Sequence, residues 1–172
     1  MTRRRTFALA TSALILFAGT ARAQHTGIAV GFASPVGDFA NSAGPGIDAA
    51  LHFLTDPVMG PIRVRIEIGY DHFSGKNGID NTSLYTQALS LTGDFASVFY
   101  WVAGPGYYQA NSKGTILGHQ VTNQFQYFGT QAALGANIPL YRWQGFLEAG
   151  AVKLYQPGPS IIYVPVRFGI RL

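Results

Sequence analysis

The last twelve residues of the chain alternate between apolar positions and polar or small positions. One face would carry Ile162, Val164, Val166, Phe168, Ile170 and Leu172, and the other Tyr163, Pro165, Arg167, Gly169 and Arg171. A period of two predicts a β-strand, because successive side chains on a strand point to opposite faces. Residues 62–73 repeat the pattern, with Ile62, Val64, Ile66, Ile68 and Tyr70 opposed to Arg63, Arg65, Glu67, Gly69 and Asp71.

The same alternation recurs along the chain between clusters of Gly, Pro, Asn, Asp and Ser. It predicts an all-β meander of eight strands joined by turns and loops. A bulge is predicted in the fifth strand at Gly104-Pro105-Gly106, since proline cannot donate to a strand ladder. The predicted strands cover residues 26–33, 46–54, 62–73, 83–94, 95–110, 123–138, 141–155 and 161–172.

A separate segment precedes the strands. Arg3, Arg4 and Arg5 stand before an apolar run over residues 7–19, and Ala21-Arg22-Ala23 supplies the small residues of a cleavage site. This pattern is typical of a secretory signal peptide. A membrane anchor is the alternative, but the run is shorter than the roughly 20 residues that span a bilayer. We expect a leader at 1–23, cleaved after Ala23, and a β-domain at 24–172.

Loss of the leader changes the charge balance. Four of the twelve basic residues (Arg3, Arg4, Arg5 and Arg22) lie within it, so eight basic residues remain against eight acidic ones. A neutral chain gives no basic surface for nucleic acid. Charged residues make up 12% of the whole sequence, against roughly 25% in soluble domains. The chain has no cysteine, which excludes disulfides and lipid attachment through a leading cysteine.

These observations predict a closed transmembrane barrel, because strands can cross a membrane only when every edge is paired. The polar connections after the odd-numbered strands are mostly longer than those after the even-numbered strands, as in outer-membrane barrels with long outer loops. Aromatic side chains should form belts at the two membrane interfaces. We expect the belts to include Trp101, Tyr141 and Trp143 at the periplasmic rim and Tyr70, Tyr85, Tyr155 and Tyr163 at the outer rim.

Several stretches resemble the small eight-stranded outer-membrane β-barrels of the OmpA/OmpX kind. They are Val30-Gly31-Phe32, Pro35-Val36-Gly37-Asp38-Phe39, residues 66–74, Phe146-Leu147-Glu148-Ala149 and residues 164–172. The resemblance implies an antiparallel up-and-down barrel in the outer membrane, with outer-membrane lipid and the barrel-assembly machinery as partners. It also implies that Val166, Phe168, Ile170 and Leu172 form the C-terminal assembly signal, although the family usually ends in Phe and this chain ends in Leu172.

The inward face of such a barrel would carry several charged side chains. An eight-stranded barrel is only wide enough to be filled by side chains, and charges inside it must pair because an unpaired buried charge costs several kcal/mol. We expect a polar network that plugs the lumen, with an ion-conducting pore as the alternative. The network residues are Arg63, Arg65, Glu67, Asp71, Glu148, Arg167 and Arg171.

Two other functions remain open. His72 and Ser74 share a strand face, and a His-x-Ser pair is similar to the catalytic pair of outer-membrane lipid A deacylases, where His activates Ser. A soluble lipocalin-like barrel would instead turn the apolar face inward around an apolar ligand. We expect no enzyme activity, and the sequence contains no metal-ligand spacing, cofactor motif or nucleotide-binding loop.

The outer connections are the expected places for a specific partner, because the strands are occupied by lipid contacts and lumen packing. The predicted outer loops cover residues 34–45, 74–82, 111–122 and 156–160. They carry few ionisable groups, which favours a structural role or weak binding over tight recognition of a protein. The sequence does not identify the partner.

Overall fold

The computed structural model describes residues 25–116, 119–158 and 160–172, so the expected leader lies outside the described residues. The described chain consists of strands and one short helix, α1 (Phe39–Ser42), which follows the first strand. The eight predicted strands are all present. They are β1 (His25–Val36), β2 (Ala43–Leu54), β3 (Ile62–Gly75), β4 (Ile79–Asp94), β5 (Phe99–Ile116), β6 (His119–Leu140), β7 (Trp143–Tyr155) and β8 (Ile161–Arg171).

The strands form one closed barrel in which each strand is antiparallel to both neighbours. The first and last strands close it, with pairs running from Gly27 with Arg171 to Val36 with Ile162. The chain is therefore an all-β, up-and-down, eight-stranded barrel, as predicted. Closure leaves no unpaired edge along the body of the barrel, which is how a sheet avoids open pairing surfaces.

Along the body of the barrel, side chains alternate between the interior and the exterior. In β3, Arg65 and Glu67 are buried while the neighbouring Ile68 is half exposed. In β8, Arg167 is buried and Phe168 is 49% exposed. The charged face therefore points inward and the apolar face outward. This arrangement contradicts the lipocalin-like alternative, which required apolar side chains in the lumen.

The two ends of the barrel differ. We call the end that holds His25 and Leu172 the basal end and the opposite end, which holds α1, the distal end. A two-residue turn at Tyr141 and Arg142 joins β6 to β7 at the basal end. At the distal end residues 76–78 join β3 to β4, where Asn77 and Gly78 adopt positive φ angles. Of the helices among the described residues, none is long and apolar enough to cross a membrane.

The predicted distal loops are largely wrong. Residues 111–116 and 119–122 continue β5 and β6 as a paired hairpin, and residues 74, 75 and 79–82 continue β3 and β4. The expected asymmetry of connection lengths is also wrong, because residues 55–61 at the basal end form a longer connection than residues 76–78. The loops were predicted from polar composition, which does not exclude a strand. The backbone groups of polar residues pair with a neighbouring strand as readily as those of apolar residues.

The predicted bulge at residues 104–106 is wrong as well. β5 keeps one register with β4 on both sides of Pro105, from Ala88 with Gly106 to Leu91 with Ala103. The glycine at 104 allows this close approach, because a Cβ there would overlap the backbone of Leu89 and Ser90. The register shifts instead lie near the distal ends of the β2–β3 and β4–β5 pairs.

Candidate functional site

The basal half of the lumen is filled by a network of ion pairs, which we call the basal layer and define as Asp48, Arg65, Glu67, Glu148 and Arg167. Arg65 donates to Glu148 through Nη1, 2.5 Å from Oε2, and also donates to Glu67. Both members of the Arg65–Glu67 pair are about 99% buried, since each is 1% exposed. Arg65 and Glu67 lie on β3 and Glu148 lies on β7, on opposite sides of the wall.

Arg167, from the last strand, completes the basal layer. Its Nε and Nη2 donate to the two carboxylate oxygens of Asp48 at 2.6 and 2.8 Å. Its Nη1 donates to Glu67 at 2.9 Å and lies 3.7 Å from Glu148. Paired hydrogen bonds from one guanidinium to one carboxylate fix both position and orientation. The basal layer thereby joins β2, β3, β7 and β8 across the lumen.

Three of the predicted network residues lie outside the basal layer. Asp71 is buried farther toward the distal end and accepts a hydrogen bond from the Tyr163 hydroxyl at 2.9 Å. Arg171 lies toward the basal mouth, donates to the Asn137 side-chain oxygen at 2.6 Å, and stacks over the ring of Tyr100. Arg63 is 31% exposed at the same mouth, 4.0 Å from Asp94.

Large side chains of the lumen rest against glycines that pair with them on the neighbouring strands. The ring of Tyr100 occupies the space that a Cβ at Gly135 would need, and Phe146 does the same at Gly169. Tyr100 also donates to Glu148 at 3.1 Å, which connects β5 to the basal layer. The aromatic side chains therefore close the gaps that the ion pairs leave.

The distal half of the lumen is apolar. We call its central members, Phe39, Phe73, Leu84, Leu154 and Tyr163, the distal layer. The Phe39 ring from α1 meets the Phe73 ring edge to face at 5.1 Å, and Phe73 meets Tyr163 similarly at 5.3 Å. The short helix therefore covers the apolar core from the distal side.

Two cavities of similar size flank these layers. The distal cavity has a volume of about 430 Å³ and is lined by residues that include Phe39, Phe125 and Tyr127. The basal cavity has a volume of about 420 Å³ and is lined by residues that include Arg63 and Arg171. Between them lies a void of about 10 Å³ beside Arg65 and Glu148, which is at the lower limit of the space that one water needs.

The predicted His72–Ser74 pair is not brought together. His72 Nδ1 lies 2.9 Å from Ser83 Oγ, on the neighbouring strand, while Ser74 donates to the Pro45 carbonyl at 3.1 Å. Tyr70 adds its hydroxyl to the first pair, 3.2 Å from Ser83. Within the described residues, no cluster of three His, Asp or Glu side chains could hold a metal ion.

The predicted assembly signal and aromatic belts lie mostly on the outer wall. Val166, Phe168 and Leu172 are 44%, 49% and 58% exposed, and Ile170 is half-buried. The position of Tyr163 in a belt is wrong, because its odd number on β8 places it inside with Arg167. Tyr141 and Trp143 are exposed at the basal end, Trp101 faces outward in β5, and Tyr70, Tyr85 and Tyr155 face outward toward the distal end.

Sequence reasoning missed several lumen residues. Tyr100 and Tyr108 share the inward face of β5 with Val102, and that shared parity was visible once the strand's register was known. His52 is fully buried beside Phe146, with ring centroids 5.1 Å apart. The contribution of Phe39 had no signal of this kind, since a four-residue helix leaves no periodicity to detect.

Comparison with known proteins gives structural neighbours only. No family model matches the sequence, and no curated protein matches it. The crystal structure of Ail, the attachment invasion locus protein of Yersinia pestis, is 12% identical, with a TM-score of 0.65 over 86% of this chain and 98% of that one.

Two further solved structures are similar. The N-terminal β-barrel domain of Pseudomonas aeruginosa OprF is 15% identical, with a TM-score of 0.60 over 86% of this chain and 97% of that one. Neisserial surface protein A is 11% identical, with a TM-score of 0.56 over 86% of this chain and 95% of that one. The chain therefore has the fold of the small eight-stranded outer-membrane β-barrels.

Proposed function

We propose that the protein is an integral outer-membrane protein whose eight strands cross the bilayer. The observation that carries this proposal is the inverted distribution of polarity. Arg65 and Arg167 are 1% and 4% exposed, whereas Phe32 and Phe128 are 73% and 72% exposed. Soluble monomers rarely expose contiguous apolar patches larger than a few hundred Å², and a bilayer would cover such a surface.

We further propose that the basal end faces the periplasm and the distal end faces outward. The aromatic side chains support this placement, since Trp143 and Tyr141 are exposed at one end and Tyr85 and Tyr155 toward the other. Two levels of exposed aromatics are typical of the two membrane interfaces. The apolar outer face of β8 is then available to lipid, and to the assembly machinery before insertion.

The lumen is proposed to be a plug that gives the barrel rigidity, and not a pore. The ion pairs of the basal layer and the aromatic rings of the distal layer support this role, because both fill the cross-section that an ion would have to pass. Moving either arginine of the basal layer would leave carboxylates unpaired in the interior, which is costly. A steady conductance would require such a rearrangement.

The distal surface is proposed to have a structural role or to bind a partner, and not to catalyse a reaction. The separation of Ser74 from His72 supports a non-enzymatic role, because it removes the predicted nucleophile–base pair. His72 contacts the Ser83 hydroxyl instead, on the outer face of the wall, where neither residue lines the distal or the basal cavity. Ail has been solved in complex with the heparin analogue sucrose octasulfate. The distal cavity of the present chain is lined by no lysine or arginine among the described residues, so an anionic saccharide is a poor fit for it.

Membrane extraction tests the proposal. We expect the protein to stay with carbonate-washed membranes, to dissolve in detergent, and to have a mature N-terminus at Gln24. In planar bilayers the purified protein should give no steady channel. Release by carbonate alone would refute the transmembrane assignment, and discrete, reproducible openings would refute the plug.

A further inference from the structure

At the distal end, the described residues include a long strand edge that the barrel does not pair. Residues 119–127 of β6 pair with β5 on one side, from His119 with Ile116 to Tyr127 with Tyr108. On the other side, pairing with β7 begins only at Phe128 with Tyr155. Among the described backbone hydrogen bonds outside the strand pairs, none involves residues 119–127. We call this nine-residue segment the open edge.

The open edge lacks the usual protection against pairing with another chain. Natural edge strands carry lysine, other charges or proline, or are kept short. Residues 119–127 read His-Gln-Val-Thr-Asn-Gln-Phe-Gln-Tyr and contain no lysine, arginine, acidic residue or proline. Eight of the nine residues are exposed, and Tyr127 is half-buried against the apolar core. The segment is therefore long, uncharged apart from one histidine, and accessible.

The sequence of the open edge is complementary to itself in the antiparallel sense. When two copies are aligned about Asn123, Gln120 lies opposite Gln126 and Val121 lies opposite Phe125. Thr122 then lies opposite Gln124, and all nine residues find a partner. Directly opposed residues in an antiparallel pair share a sheet face, so the apolar Val121 and Phe125 stay on the face that lines the distal cavity. No like charges oppose each other in this register.

We propose that the open edge binds the open edge of a second copy of this protein, antiparallel and centred on Asn123. We choose a second copy as the occupant because the register about Asn123 opposes apolar to apolar and polar to polar residues. No charges conflict in this register, so two identical edges can satisfy each other's backbone groups. An interface that uses the same surface on both partners is the ordinary result of a two-fold axis. The inference rests on the proposed function, which places the distal hairpin outside the cell.

The symmetry of this pair determines how the two barrels face each other. The two-fold axis of an antiparallel pair is perpendicular to the sheet, and the hairpin sheet continues the barrel wall. The axis therefore lies close to the membrane plane, so the two barrels point in opposite directions. Nine residues of strand span about 30 Å. The two copies would then stand in two facing membranes, and their contact would hold the membranes together.

Cysteine cross-linking in detergent tests the pair without a membrane. The chain has no cysteine, so Asn123→Cys introduces a single thiol at the two-fold axis. Opposed Cα atoms in antiparallel pairs are about 4.5–5.5 Å apart, within the range that a disulfide bridges. We expect Asn123→Cys to form a covalent dimer under mild oxidation. The matched control is Asn111→Cys on β5 of the same hairpin, which should remain monomeric.

A charge exchange in vesicles tests the facing geometry. Thr122 and Gln124 oppose each other in the proposed register, so Thr122→Lys with Gln124→Lys places lysines opposite lysines. Phosphatidylcholine vesicles carrying the unaltered protein should cluster, as measured by light scattering, and vesicles carrying the lysine pair should not. Vesicles carrying a second variant, with Thr122→Glu and Gln124→Glu, should also fail to cluster on their own. Mixing the lysine vesicles with the glutamate vesicles should restore clustering.

The outcomes separate the two proposals. Failure of the protein to float with vesicles would contradict the membrane assignment, while the detergent cross-link would still decide the self-pairing. Equal cross-linking of Asn123→Cys and Asn111→Cys, or of neither, would overturn the self-pairing and leave the open edge for a segment of another protein. A specific Asn123→Cys dimer without any vesicle clustering would overturn the facing geometry.

Discussion

The basal and distal halves of the lumen are both filled by side chains, but different interactions hold the side chains in each half. The basal layer uses directional ion pairs, such as Arg167 with Asp48, and the distal layer uses ring and methyl contacts, such as Phe39 with Phe73. Replacing a whole buried ion network by apolar groups is often neutral, whereas removing one member is costly. The basal half therefore depends on every one of its charges, and the distal half on its volume.

The largest expected effect comes from breaking the basal layer at its most connected residue. Arg167→Met removes the donors to Asp48 and Glu67, which leaves Asp48 buried without its ion-pair partner and Glu67 with Arg65 alone. We expect a loss of about 3–5 kcal/mol in the free energy of unfolding, measured by urea unfolding of the protein folded in vesicles. Adding Asp48→Asn and Glu67→Gln should recover part of it.

Arg63→Met is the matched control for this substitution. Arg63 lies at the basal mouth, partly exposed and 4.0 Å from Asp94, so its loss should cost less than about 1 kcal/mol. Equal losses for Arg63→Met and Arg167→Met would show that the basal layer has no special dependence on its charges.

A smaller effect is expected from opening space in the distal layer. Leu154 is completely buried, and Leu154→Ala should cost about 2–5 kcal/mol through lost contacts and the cavity left behind. The lower part of this range is expected because the distal cavity lies nearby and allows the surroundings to relax. Leu147→Ala on the outer face of the same strand should cost less. A larger loss at Leu147 would contradict the inward assignment of the distal layer.

The smallest effect concerns the boundary between the two halves. Tyr163→Phe removes the hydroxyl that donates to the buried Asp71 and should cost about 1–3 kcal/mol, because the buried carboxyl group loses a hydrogen bond. The hydroxyl of Tyr108 is buried without a hydrogen-bond partner among the described residues. Tyr108→Phe should therefore be neutral or slightly stabilising. A larger drop in the thermal unfolding temperature for Tyr108→Phe than for Tyr163→Phe would refute this assignment of the two hydroxyls.

The barrel body was predictable because its alternation is strict. Arg65, Glu67 and Arg167 all followed from a period of two, since one residue of known direction determines the direction of every other residue on its strand. Tyr163 was misassigned to a belt for the opposite reason, because its aromatic character was given more weight than its parity. The prediction of a loop at the distal hairpin is wrong because polar composition does not distinguish a loop from a solvated strand.

The partners inside the lumen could not be predicted in the same way. Parity shows that Arg167 points inward, but only the register around the whole barrel shows that it reaches Asp48 and Glu67 and not Asp71. The stagger of eight strands determines those heights, and small errors in strand ends accumulate around the wall. The role of Phe39 likewise depended on where α1 lies, which no local pattern indicated.

Because Arg167 lies in the final strand, the basal layer can be completed only when that strand is in place. Its partner Asp48 lies 119 positions earlier in the chain, so this carboxylate has no counter-charge until the last strand joins the barrel. A chain that ends early would contain Asp48 and Glu67 without Arg167, and it would also lack the strand that closes the wall against β1. Closure of the barrel by its last strand and neutralisation of Asp48 are thus the same event, which makes a barrel without that strand unstable.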